Sequence, residues 1–209
     1  MSKIFFVNGG YINFKERFGS DYEIANSARM SRNNYGSATT SNQDEELISN
    51  LARWNHWTPF ALQSIRIELR MPIFVARQWM KHSVGVVTLE KSMRYTKKPL
   101  TIDDFYIPKD LDKDVILSYR NSLISSIDCY NHFIKDGIPA EDARDILPNS
   151  LFTKMTQTMT LQAAINLCRL RMTKHAQREI REYATKLYEI LKEQFPLAWK
   201  YCLYISEQQ

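Results

Sequence analysis

The amino-acid sequence predicts an α+β fold in which many helices accompany a few strands. One observation is the segment LQSIRIELRM at 62–71, where apolar and polar residues alternate as in a half-buried strand. A second observation is that several segments repeat apolar residues at helical spacing, and 114–137 is the longest of them.

The N-terminal half contains another strand candidate and three helix candidates. The stretch KIFFVNGG, residues 3–10, is typical of a short strand that ends at a Gly-Gly turn. Residues 21–33 indicate a short helix. Residues 41–57 begin with capping candidates and acidic residues, followed by apolar residues at helical spacing. Pro72 fits the first position of a third helix, which we expect to run to about His82.

The C-terminal half is predicted to be mostly helical. Residues 83–96, SVGVVTLEKSMRYT, are interpreted as loop or extended chain. The long amphipathic helix before residue 138 is stopped by Gly137 and the proline that follows. The remaining segments are, in order, a short helix at 139–148, a weakly alternating strand at 150–160, and two nearly continuous helices at 161–172 and 175–195.

Length and composition are ordinary for a globular protein. The 209 residues, 44% apolar and 24% charged, suffice for one domain with its own core, and we expect a single domain over 1–209. The net charge of +5 mildly favours an anionic small molecule. Because no apolar run is long enough to span a bilayer, and no secretory pattern is seen, we expect a cytoplasmic protein without a membrane partner. The basic residues are scattered, so a nucleic-acid partner is not expected.

The three cysteines do not indicate chemistry. Their number is odd, they are widely spaced, and no C-x-x-C pair suggests a metal site. Cys129 and Cys168 fall within amphipathic helices, where we expect them to be small core residues. We therefore expect no bound metal and no thiolate nucleophile.

Polar groups are crowded after the apolar helix that ends near His82. Lys81, His82, Ser92 and Arg94 could bind phosphate and carbonyl groups, since the arginine guanidinium offers a planar fork of donors. The alternative is a solvated loop after a helix, and composition alone favours it.

Two further stretches carry single candidates. His56 and Thr58 lie where a helix ends and a strand approaches, and a histidine stabilised by the helix dipole is the alternative to a ligand role. Arg144 lies in a short helix between prolines, where an ordinary surface arginine is the alternative.

The last candidate stretch is INLCRLRMTKHAQREI, residues 165–180. Arg171 and His175 are four residues apart, so on a continuous helix they share a face, and Asn166 precedes them by five residues. An exposed ion-pair face with Glu179 explains this pattern as well as a functional site does.

Taken in order, these stretches resemble the flavin-dependent thymidylate synthases over about residues 20 to 185. That family's signature is Arg-His-Arg, seven residues, and then a serine followed shortly by Arg-Tyr. The matching segments here are ARMS at 28–31, HWTPF at 56–60, PIFVARQW at 72–79, Lys81-His82-Ser83, Ser92, Arg94-Tyr95, the AR and ILP of 143–148, and LRMTKHAQREI at 170–180.

The signature departs from the family pattern in several places. Lys81 keeps a positive charge but lacks the guanidinium fork, and Ser83 carries no charge. The spacer between Ser83 and Ser92 has eight residues, one more than the family's seven. Other positions that differ from the usual residues are Leu89, Met93 and Thr160.

The resemblance implies roles for individual residues. Arg171 would be catalytic, because its charge would polarise the pyrimidine, and Ser92 would bind the nucleotide without acting as a nucleophile. The dUMP-binding residues would be Gln78, Lys81, Glu90, Ser92, Arg94, Arg144 and Arg171, with Gln78, Glu90, Ser92 and Arg94 coming from another subunit. The FAD-binding residues would be Ser31, His56, Thr58, Lys81, His82, Glu90, Asn166 and His175.

The resemblance also implies the reaction, the fold and the assembly. The reaction would be reductive methylation of dUMP at C5, with methylenetetrahydrofolate as carbon donor, NADPH as reductant and FAD as cofactor. The fold would be a central antiparallel sheet surrounded by helices, and the assembly a homotetramer with shared active sites. Two alternatives stay open: a related C5 modification such as hydroxymethylation, and a non-catalytic nucleotide-binding homologue that has lost flavin.

Overall fold

The strands of the computed structural model form one antiparallel sheet. The structure describes residues 3–32, Gly36, Ala38 and 40–203, and within them five strands pair in the order β1-β2-β3-β5-β4. The strands are Lys3–Val7 (β1), Gly10–Phe18 (β2), Ser64–Pro72 (β3), Val86–Glu90 (β4) and Phe152–Thr160 (β5). The predicted α+β class with a central antiparallel sheet is confirmed. The single-domain boundary stays a prediction.

Helices cover the ends and one face of this sheet. Within the described ranges they are Asp21–Arg29 (α1), Ser41–Arg53 (α2), Thr58–Ala61 (α3), Ile73–Trp79 (α4), Lys113–Lys135 (α5), Ala140–Ala143 (α6), Leu161–Arg171 (α7), Arg178–Gln194 (α8) and Pro196–Cys202 (α9), with short 3-10 turns at Met30–Arg32, Ile102–Asp104 and Arg144–Ile146. None of the described helices is both long and apolar enough to span a membrane.

Four helices or strands were not expected from the sequence, namely β2, α3, β4 and α9. Strand β2 was missed because its second half, KERF, carries charged residues in an exposed stretch. Strand β4 lies in the segment interpreted as loop or extended chain. Helix α9 follows α8 directly, and Asp21 accepts hydrogen bonds from its first free backbone N–H groups, at Leu197 and Ala198, both at 3.0 Å.

The two faces of β3 match its alternating sequence. Ile65, Ile67, Leu69 and Met71 are fully buried beneath the helices. The side chains between them point to the opposite face, where Arg66 forms an ion pair with Glu16. Because each residue of β3 pairs directly with one of β5, the buried face continues into that strand.

Helix α4 is shorter than predicted. Pro72 is its N-cap rather than its first helical residue, and the helix ends at Trp79 instead of near His82. A turn follows, in which the His82 backbone N–H donates to the Trp79 carbonyl at 3.1 Å. Gly85 then adopts a φ of 72°, which lets the chain turn into β4.

Helices α7 and α8 are separate, which corrects two predictions. Helix α7 ends at Arg171, and residues 172–177 form turns before α8 begins at Arg178. Arg171 and His175 therefore do not share a helix face. Local spacing was compatible with a continuous helix, but the chain changes direction in this segment.

The cysteines divide between the core and the surface. Cys168 is buried, and burial raises the pKa of its thiol. Cys129 is exposed, so its prediction as a core residue was wrong. The buried stripe of α5 runs through Leu123, Ile127 and Tyr130, and Cys129 lies off that stripe. No group of three or more potential metal ligands occurs among the described residues, and each described cysteine is free.

Candidate functional site

The first group of predicted site residues meets where α4 and α7 end. We call Gln78, His82 and Arg171 the arginine cluster. The Arg171 Nε donates to His82 Nε2 at 2.9 Å, and an Arg171 Nη donates to the Gln78 carbonyl at 3.1 Å. The cluster joins residues about 90 positions apart in the chain, so the guanidinium is held by tertiary contacts.

The contact with Arg171 determines the state of His82. Because an arginine nitrogen is always a donor, His82 Nε2 must accept, and in the neutral ring the proton is on Nδ1. Burial lowers the pKa of His82, and the positive charge of Arg171 lowers this pKa further. The imidazole is therefore neutral at pH 7 and serves as an acceptor that orients the guanidinium.

The side chain of Gln78 connects the cluster to the segment after α7. Its Nε2 donates to Gln177 Oε1 at 2.6 Å. The end of α4 is thus tied to both sides of the turn between α7 and α8, at Arg171 and at Gln177. This arrangement fixes the positions of the side chains that follow α4.

The second group of predicted residues lines a cavity of about 550 Å³, which we call the nucleotide cavity after the role that the resemblance implies for Glu90, Ser92 and Arg144. It lies between α4, the end of β4, the 3-10 turn at Arg144–Ile146 and the start of β5. Its lining residues are Ile73, Arg77, Glu90, Lys91, Ser92, Met93, Arg144, Asp145, Leu147, Asn149, Leu151, Phe152 and Thr153. Three cationic side chains and two carboxylates are therefore presented together with hydroxyl and apolar groups, a mixture that suits a phosphorylated ring compound.

Three predicted residues in this cavity have few internal partners. The Glu90 carboxylate accepts a hydrogen bond from Thr153 Oγ1 at 2.7 Å. The Ser92 hydroxyl accepts from the Arg94 backbone N–H at 3.3 Å. Arg144 donates from Nε to the Glu141 carbonyl at 3.2 Å, and its terminal nitrogens have no partner among the described residues. Those nitrogens are available for a bidentate contact with an anion.

Arg94 lies beside the nucleotide cavity rather than in its wall. Its Nε and an Nη both contact one carboxylate oxygen of Glu141, at 2.9 and 2.7 Å. Glu141 thus engages two predicted nucleotide-binding arginines, Arg94 through its carboxylate and Arg144 through its carbonyl. The ion pair is about half exposed, so its net stabilisation is small.

The other predicted cofactor residues are at the surface. Thr58 begins α3, which packs on α7, and α7 carries Asn166. His56 lies between α2 and α3, His175 lies in a turn between α7 and α8, and Lys81 follows α4. These five residues are exposed, and none of them lines the nucleotide cavity.

Ser31 is already bonded within its own turn. Its hydroxyl donates to the Ala28 carbonyl at 3.0 Å, on an exposed 3-10 turn. A role in cofactor binding therefore stays a prediction for this residue.

The sequence did not single out Arg77 and Lys91, which add two cations to the nucleotide cavity. Within residues 3–32 and 40–203 neither side chain forms an ion pair. For Arg77 a signal was present, since Ile73 and Arg77 are one helical turn apart and both line the cavity. The exposure of Lys91 follows from its place after β4, a strand that the sequence did not define.

The arginine cluster and the cavity together present the cationic groups that an anionic small molecule requires. Comparison with known proteins specifies the class. The family model for "Thymidylate synthase complementing protein" matches residues 15–197. A flavin-dependent thymidylate synthase of Wolbachia pipientis is 34% identical over 94% of this chain and 76% of its own length. One from Thermosipho melanesiensis is 33% identical over 91% of this chain and 89% of its own length.

The chain belongs to the flavin-dependent thymidylate synthase family. Its fold is similar to that of UMP/dUMP methylase PolB from Streptomyces cacaoi, whose crystal structure contains 5-Br dUMP. The two share 23% sequence identity and a TM-score of 0.80, over 92% of this chain and 93% of that one. The resemblance found in the sequence is confirmed.

Proposed function

We propose that this protein is an enzyme that methylates dUMP at C5 to form dTMP. In this proposal FAD is the cofactor, methylenetetrahydrofolate supplies the carbon, and NADPH supplies the reducing equivalents. Membership of the flavin-dependent thymidylate synthase family supports the reaction. The observation that carries the proposal is the nucleotide cavity, where Arg144, Ser92 and Glu90 line one concave wall with two further cations.

The side chains of the cavity match the parts of a pyrimidine nucleotide. The free end of Arg144 offers a fork of donors to the phosphate, and Ser92 adds a hydroxyl. Arg77 and Lys91 supply positive charge, and among the described residues neither forms an ion pair with the cavity's carboxylates, Glu90 and Asp145. Glu90 is an acceptor, suited to a ring N–H or a sugar hydroxyl.

Arg171 has the role of charge stabiliser in this proposal. His82 and Gln78 hold its guanidinium, so a pyrimidine carbonyl meets a donor that is already oriented. An oriented donor needs little reorganisation when negative charge develops on the ring, and this lowers the barrier.

The exposed residues near α7 fit a flavin dinucleotide. Lys81, His56, Asn166 and His175 offer a cation, two imidazoles and an amide, and none of these side-chain polar groups has a hydrogen-bond partner among the described residues. Such donors suit the pyrophosphate and the ring edge of FAD. When bound, the flavin would supply the hydride that completes the methyl group.

We infer that a complete site draws on more than one subunit. The arginine cluster does not line the nucleotide cavity within a single chain, although both sets of residues are proposed to bind the nucleotide. The sequence grouped Gln78 with Glu90 and Ser92, whereas in the structure it lies with Arg171. A homotetramer would place the cavity of one subunit against the cluster of another. The cytoplasmic location stays a prediction of the sequence.

The test is an absorbance spectrum of the purified protein with FAD, followed by product analysis with mass spectrometry. A flavin spectrum that NADPH bleaches, and a product 14 mass units heavier than dUMP (about one CH₂), would support the proposal. A hydroxymethyl product would replace it with the related modification. A protein that binds dUMP but takes up no FAD would replace it with nucleotide binding alone.

A further inference from the structure

A chain of two hydrogen bonds, one buried and one partly buried, links α4 to β4 across β5. The Trp79 indole Nε1 donates to Gln157 Oε1 at 2.7 Å, and Gln157 Nε2 donates to Thr88 Oγ1 at 2.8 Å. Trp79 and Gln157 are each only 1% exposed. We call these three side chains the Trp79–Gln157–Thr88 relay.

The direction of each bond in the relay is determined by its chemistry. An indole nitrogen only donates, so it must face the amide oxygen of Gln157. The amide nitrogen then faces Thr88, whose hydroxyl accepts and keeps its own hydrogen for another partner. Gln157 therefore has one orientation, and both of its ends are engaged.

Strand β4 lies at the edge of the sheet. Among the described strands it is the last in the sheet order, and β5 is the one that pairs with its backbone. Val87 and Leu89 point away from the helices and are 75% and 77% exposed. Val86, Thr88 and Glu90 face inward: Val86 packs against the core, and Thr88 and Glu90 bond to β5 at Gln157 and Thr153.

The two ends of the relay adjoin the two halves of the proposed site. Trp79 is the last residue of α4, directly after Gln78 and three residues before His82. Thr88 lies two residues before Glu90 and four before Ser92, which line the nucleotide cavity. We propose that the Trp79–Gln157–Thr88 relay positions β4 relative to α4, and so sets the place of Glu90 and Ser92 for nucleotide binding.

The three relay residues are thus positioning residues that touch neither substrate nor cofactor. The consequence for the nucleotide rests on the proposed function, whereas the hydrogen bonds themselves do not. The relay also explains why β5 can bury the polar side chain of Gln157, because both ends of its amide are hydrogen-bonded. The other inward residues of β5 are apolar or, like Thr153, bond to β4.

Thr88→Val tests the relay, because valine has the same shape but accepts no hydrogen bond. Thr88 is exposed, so the change is not expected to prevent folding. Hydrogen exchange at the amides of 86–90 should accelerate about fivefold, as for the loss of one hydrogen bond. The KM for dUMP should rise about tenfold, with kcat at saturation changed less than about twofold.

Two variants serve as controls. Thr88→Ser keeps the hydroxyl and should restore both the exchange rate and the KM. Thr156→Val makes the same substitution on the open face of β5 and should alter neither quantity. Gln157→Leu removes both bonds and should exceed the effect of Thr88→Val.

The readouts separate failure of the relay from failure of the proposed function. Unchanged exchange at 86–90 in Thr88→Val overturns the relay, whatever the activity. Faster exchange with an unchanged KM for dUMP would show that the relay holds β4 in place, and it would overturn the role of the relay in nucleotide binding. A wild-type protein without dUMP turnover overturns the proposed function, and dUMP affinity, measured by calorimetry, then replaces KM in the same comparison.

Discussion

The arginine cluster and the nucleotide cavity present the same side chain in opposite settings. In the cluster, the Arg171 guanidinium already donates to His82 and to the Gln78 carbonyl. In the cavity, Arg144 has one hydrogen bond among the described residues, and its two terminal nitrogens are available to a ligand. The cluster is organised before any ligand arrives, whereas the cavity offers groups that a ligand must order. We therefore expect changes in the cluster to affect catalysis and changes in the cavity to affect affinity.

The largest effect is expected from Arg171→Ala. Removing an oriented donor at the reacting ring should lower kcat by about 10³-fold, with the proposed homotetramer retained. Rates of dTMP formation and size-exclusion chromatography would measure these two outcomes. Arg171→Lys keeps the charge but not the fork, and it should lie between the wild type and the alanine variant. Turnover that survives Arg171→Ala would remove this residue from the mechanism.

Arg144→Ala should act mainly on binding. The loss of a bidentate, charge-assisted contact should weaken dUMP binding by about 100-fold, while flavin uptake is unchanged. Isothermal titration with dUMP would measure the affinity. Arg120→Ala on α5 is a matched control outside this cavity and should bind dUMP normally. An equal loss in both variants would point to general electrostatics instead of a contact.

The two regions should differ in pH dependence, because the arginine cluster contains a histidine and the described lining of the nucleotide cavity contains none. The pKa of His82 lies below its ordinary value of 6.5, mainly because the ring is buried. Below that pKa the protonated ring no longer accepts from Arg171, so kcat should fall on the acid side. Because the unfolded chain takes up this proton at a higher pH, the stability that neutral His82 contributes is also lost as the pH falls below 6.5.

His82→Gln isolates this titration. Glutamine keeps an acceptor for Arg171 but does not titrate, so the acid limb of the kcat profile should move to lower pH. The phosphate of dUMP also titrates near pH 6, and it should account for any part of the acid limb that stays in place in His82→Gln. An unchanged profile in His82→Gln would assign the whole limb to the substrate.

The smallest effect is expected from Lys81→Arg, which restores the family's arginine. A guanidinium can donate two parallel hydrogen bonds to a phosphate, whereas the lysine ammonium acts as a single compact charge. The affinity for FAD should therefore rise about threefold to tenfold. Flavin fluorescence during titration would measure it. Lys135→Arg, at the end of α5, repeats the substitution away from the proposed flavin region and should have no effect. A fall in affinity would mean that the loop is adapted to lysine.

Much of the fold followed from local patterns. The alternation of 64–71 predicted β3, weak alternation predicted β5, and helical spacing predicted α2 and α5. The sequence was less informative about elements that depend on contacts with other parts of the chain. Strand β4 has exposed apolar side chains and forms because β5 pairs with it. The segment between α7 and α8 contains no proline or glycine, so the sequence gives no local signal for the break.

By itself, the sequence determined the family, the positions of the main elements and the identity of the candidate residues, because motifs and periodicity are local properties. Only the tertiary structure decided which residues meet. It placed Arg171 against His82, 89 positions away, added Arg77 to the nucleotide cavity, and joined Trp79 to Thr88 through Gln157. These groupings depend on how helices pack on the sheet and on the register of its strands, so local spacing does not reveal them.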